Sequence, residues 1–88
     1  GKYGRMRLHY LKEHRKVLYN TLVLEGKLVA HLNEIDDTAH RRMERLIRQM
    51  QERQGINEGL KARDQMAWVG AMNNIRNAAE EIALSELI

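Results

Sequence analysis

The absence of proline constrains this chain more than any other feature. Proline is the residue that most reliably ends or kinks a helix, and none occurs in 88 residues. The six glycines, Gly1, Gly4, Gly26, Gly55, Gly59 and Gly70, leave three long stretches with little to interrupt a helix. The first helix is expected from about Arg5 to Leu24. Leu8, Leu11, Leu18 and Leu22 form one apolar stripe along it, and Tyr10, Val17 and Leu24 form a second at heptad spacing. Gly26 suits its C-terminal stop. The second helix runs from about Leu28 to Arg53, where Leu28, Leu32, Ile35, Ala39, Met43, Leu46 and Met50 step by four and three as one helix face requires. Gly55 ends it, Asn57 caps a third with Glu58 favourable to its dipole, and that helix reaches about Glu86. Its apolar set is Leu60, Trp68, Val69, Met72, Ile75, Ala79, Ile82 and Leu87.

Helices of roughly 20 to 30 residues joined by connections of two to four residues run antiparallel. The expected fold is therefore all-α, an up-down-up bundle or helical hairpin in a single domain over residues 1–88. Leu32, Ile35, Met43, Leu46, Trp68, Met72 and Ile75 should be largely buried. Gly70, beside the single Trp68 and among small residues, suits the close approach of another helix. Three thin amphipathic helices expose more apolar edge than one bundle hides, so self-association as a two-fold dimer is expected.

A chain this short buries only roughly 60–65% of the surface it exposes when unfolded, which leaves little room for an enzyme cleft. Ser85 is the only serine, Thr21 and Thr38 are the only threonines, and no cysteine or glycine-rich phosphate loop is present. No enzyme and no cofactor are expected. The longest run without a polar side chain, Met66 to Met72, is far too short to span a bilayer. Together with the lack of cysteine, this favours a cytoplasmic protein.

Charge is distributed unevenly. Lys2, Arg5, Arg7, Lys12, Arg15 and Lys16 oppose only Glu13 in the first sixteen residues, with Tyr3, Tyr10, His9 and His14 among them. Such an excess suits nucleic-acid phosphate, here DNA, with the tyrosines placed to stack; a solvated or protein-binding face is the other reading. Arg41, Arg45 and Arg48 form a ridge on the second helix that suits a partner's acidic face, although Glu44 and Arg48 are spaced for an intrahelical pair. Asp36, His40 and Glu44 recur every four residues, but a di-iron bundle needs a second acid-x-x-His helix and none exists. No metal site is expected.

The segments Gly1-Lys2-Tyr3-Gly4-Arg5-Met6-Arg7-Leu8, Tyr10-Leu11-Lys12-Glu13-His14-Arg15, Gln65-Met66-Ala67-Trp68-Val69-Gly70, Met72-Asn73-Asn74-Ile75-Arg76 and Ala78-Ala79-Glu80-Glu81-Ile82 resemble the TnpV family. That family is carried by transposons and conjugative elements of Gram-positive bacteria. The similarity extends over essentially the whole chain, and family members begin with a further segment ahead of the position matching Gly1. The resemblance implies a mobile-element context and assigns no catalytic or ligand residue. An accessory role in excision or its control suits a small basic helical protein. The turns separate helices too long for a compact helix-turn-helix, so backbone contact without strong sequence preference is the form DNA binding would take. The alternative is a helical module that binds and regulates a protein, such as a recombinase or a host defence effector.

Overall fold

The computed structural model describes residues 1–88, and all of its regular structure is helical. Five helices follow one another: α1 (Lys2–His14), α2 (Lys16–Leu24), α3 (Leu28–Gln54), α4 (Glu58–Arg63) and α5 (Gln65–Leu87). The stops at Gly26 and Gly55 stand where the sequence places them. Both glycines adopt positive φ, 67° and 68°, the left-handed conformation that closes a helix at low steric cost. The N–H of Lys27 donates to the carbonyl of Leu22 at 2.8 Å, and that of Ile56 donates to Gln51 at 2.9 Å. Each end thus satisfies a carbonyl that the helix itself leaves free.

Two further breaks split the expected first and third helices. Arg15 (φ −136°, ψ 58°) separates α1 from α2, and Asp64 (φ −150°, ψ 87°) separates α4 from α5. The Asp64 break has a clear local cause, because its carboxylate accepts the N–H of Ala67 at 3.1 Å and caps α5. No side chain caps the break at Arg15. Tyr19 donates to the carbonyl of Arg15 and Trp68 to that of Asp64, the first backbone hydrogen bonds of α2 and α5. The expected first and third helices are thus each divided into two, and five helices stand where the sequence suggests three.

The central helix is a shared spine. Tyr3 and Arg7 of α1 lie against Asp36 and His31 in the first half of α3, while Glu86 of α5 meets Arg42 just beyond its middle. Lys2 reaches Glu80, where α1 and α5 come together. This arrangement shares α3 almost end to end and gives a rod of 55 × 19 × 18 Å with a radius of gyration of 16.9 Å. A compact chain of this length would have about 12 Å.

A rod has a thin core. Leu11, Leu46, Met72 and Ile75 are buried, together with Tyr3, Ala39, Ala79 and Ala83. The alanines are small enough to let α3 and α5 approach closely. Leu32, Ile35, Met43 and Trp68, expected to be largely buried, are only half-buried, as the thinness of the rod allows. Gly4, expected as a break ahead of the first helix, lies inside α1, where a Cβ would stand 3.0 Å from the carbonyl oxygen of Leu32. Gly70 reverses in the other direction. A Cβ there would meet nothing within 4 Å, so no helix of this chain approaches it.

Candidate nucleic-acid interface

The inward face of α1 consists of Tyr3, Gly4 and Leu11, and burying it turns Arg5, His9 and Lys12 outward. Arg15 and Lys16 are exposed at the break that follows. None of Arg5, Lys12, Arg15 and Lys16 is engaged by a carboxylate. Lys12 rests its ammonium 5.7 Å from the Tyr19 ring centre, a contact that positions it and leaves its charge available. Arg5 and Lys12 are separated by about 10 Å of helix rise.

The other two cations singled out in the sequence are tied down. Lys2 donates to Glu80 at 2.7 Å, and that hydrogen bond raises its pKa above the ordinary lysine value. Arg7 donates through Nε to Nε2 of His31 at 3.3 Å, and its guanidinium lies 5.5 Å from the Tyr10 ring. The six residues therefore divide into four that face outward unpaired and two that hold α1 to its neighbours. Tyr3 is buried and cannot stack on a base, contrary to the sequence-based expectation. Tyr10 is half-buried. It lies with Met6 on the apolar floor of a groove of about 510 Å³, whose rim carries Arg5, His9 and His14. Its ring sits 5.3 Å from that of His14.

On α3, Arg41, Arg45 and Arg48 are exposed and none is engaged by a carboxylate, so the pair expected between Glu44 and Arg48 does not form. Helical spacing puts Asp37, Glu44 and Glu52 on the same outer side, and all three are exposed. The ridge is consequently a mixed-charge face. Its neighbour Arg42 turns to α5, where Nε and Nη2 grip the Glu86 carboxylate at 2.9 and 3.0 Å. That grip holds the Glu86 carboxyl below the usual carboxylate range.

Asp36 has a role that the sequence reading missed. The first turn of α1 has no capping side chain of its own. The Asp36 carboxylate, projecting from α3, accepts the N–H of Tyr3 at 3.1 Å. The signal was its place: a carboxylate three residues before Ala39 falls on the inward side of α3. His40 lies 3.8 Å from Asp36 and sets its ring edge-on to Tyr3 with centroids 5.3 Å apart. Asp36, His40 and Glu44 do not converge, and no group of three or more acidic or histidine side chains is arranged around a metal position.

No helix is long and apolar enough to cross a membrane. No curated protein sequence and no solved structure is significantly similar to the chain. A family model does match, that of "Transposon-encoded protein TnpV", over residues 1–88. With its entire length accounted for by that match, the chain belongs to the TnpV family of transposon-encoded proteins.

Proposed function

We propose that this protein is a non-catalytic accessory factor of its mobile element, assisting or regulating excision by holding nucleic-acid backbone along the outer side of α1. The observation that carries this reading is the set Arg5, Lys12, Arg15 and Lys16, four exposed cations without a carboxylate partner on one helix and the break that follows it. Unpaired cations shed no ion pair when they meet phosphate, and they release counterions from the duplex. Phosphate contacts position a protein without reading sequence. Binding is therefore indifferent to base order.

The test is fluorescence anisotropy of a labelled duplex across a salt series. Three to four phosphate contacts give a slope of roughly −3 to −4 in log affinity against log salt. No binding at about 50 mM salt, the regime most favourable to such contacts, removes this reading.

The ridge of Arg41, Arg45 and Arg48 favours a second reading, in which the protein regulates a partner protein such as a recombinase or a host effector. Arginines interleaved with Asp37, Glu44 and Glu52 suit the patterned charges of a protein surface better than the uniform charge of a phosphate backbone. Capture of one such protein, abolished by Arg45→Glu and unaffected when the α1 cations are changed to Gln, would separate the two readings.

A further inference from the structure

The α2 helix is apolar nearly all round, yet none of its residues is buried. Leu18, Tyr19 and Leu22 are half-buried on one side. On the opposite side Val17 is 82% exposed and Leu24 86%, with Asn20 and Thr21 between them. Val23 and Val29, 48% and 71% exposed, flank the turn at Gly26. A helix of nine residues is marginal alone and depends on packing for its stability. Val17 and Leu24 therefore leave apolar surface in water on a helix that depends on packing.

We propose that this surface is covered by the same surface on a second copy of this chain, the two α2 helices pairing antiparallel about a two-fold axis between Asn20 and Thr21. The register follows from the sequence. Antiparallel pairing about that point sets Val17 against Leu24 of the other copy, and Leu24 against its Val17. It also sets Lys16 against Glu25, twice over. The stretch between Lys16 and Glu25 bears no charge, and these two residues are opposite in sign, so in this register the surface complements itself. The outer side of α1, by contrast, would repel its own copy. Lys16 has no carboxylate partner within the chain, and Glu25 has only the exposed Lys27 at 3.4 Å. Both are free to exchange into the interface.

A nine-residue helix contact falls short of the roughly 800 Å² per partner found in stable complexes. The dimer is accordingly weak and reversible. It leaves Arg5, Lys12 and Arg15 of each copy outside the interface, and its evidence is independent of nucleic-acid binding.

Sedimentation of the full chain without nucleic acid, from micromolar concentration to about 1 mM, tests the pairing. Mass should rise from 10.3 kDa toward twice that value. Val17→Glu with Leu24→Glu should remain monomeric throughout at unchanged helicity. Lys16→Glu alone and Glu25→Lys alone should each raise the dissociation constant at least about fivefold, because two pairs become like-charge contacts. The double variant Lys16→Glu/Glu25→Lys should restore it to within about twofold, and an equimolar mixture of the two single variants should associate more tightly than either alone. A chain that stays monomeric at about 1 mM overturns the proposal. So does dimerisation that persists in the Val17→Glu/Leu24→Glu variant, which would place the interface elsewhere. Single charge variants that dimerise as well as the double variant overturn the register.

Discussion

The carboxylate of Asp36, on α3, accepts the backbone N–H of Tyr3 at 3.1 Å and so caps α1 from a different helix. This contact adds to the burial of Tyr3 and Leu11 in setting the position of the basic helix. Asp36→Ala leaves the first turn of α1 without an acceptor and loosens its docking on α3. Amide exchange from Tyr3 to Leu11 should quicken while exchange from Met72 to Ala83 holds. Equal quickening in both halves would show that Asp36 serves the whole rod and not α1.

Acid should weaken the protein through the Glu86 carboxylate. Glu86, gripped by Arg42, has a folded pKa below its unfolded one. A depressed folded pKa gives stability that is fully present above the unfolded value and is lost as pH falls through the folded value. The thermal midpoint should therefore decline as pH drops below about 4. Glu86→Gln should flatten that decline, and an unchanged slope in that variant would refute the assignment.

Two glycines inside helices should respond to alanine with opposite signs. Gly70→Ala meets open space, and removing an unconstrained glycine from a helix interior should stabilise by about 0.5–1 kcal/mol. Gly4→Ala brings a Cβ to 3.0 Å from the Leu32 carbonyl oxygen, where α1 must shift away from α3, at a cost of about 1–3 kcal/mol. Urea denaturation of both variants reads the two signs directly.

The core is thin, so single deletions weigh heavily. Ile75 is 1% exposed, and Ile75→Ala should cost about 2–5 kcal/mol. Leu46→Asp should cost several kcal/mol, because it puts an unpaired charge against α5 or forces the rod open. Thermal melts that place either variant within about 0.5 kcal/mol of the parent would contradict the packing.

The helical class, the spine helix and its stops at Gly26 and Gly55 were legible because periodicity and left-handed glycines are local signals. The breaks at Arg15 and Asp64 were hidden because the apolar spacing runs through both. Asp64 did carry a cap signal, its acid lying three residues before Ala67. How deeply Leu32 or Trp68 would be covered was not legible either, since a pattern says which side faces inward and not how much of it a neighbour covers. In the candidate interface, composition marked six cations, but only tertiary structure separates Lys2 and Arg7, held by Glu80 and His31, from the four that face water.

Nucleic-acid binding by the outer side of α1 is tested most directly by the quadruple variant Arg5→Gln/Lys12→Gln/Arg15→Gln/Lys16→Gln, compared with the parent on a labelled duplex at about 50 mM salt. The parent should bind with a salt slope of roughly −3 to −4, and the variant should lose binding while its circular dichroism spectrum is unchanged. A variant that binds as tightly as the parent, or a parent that does not bind, would contradict the assignment of this surface.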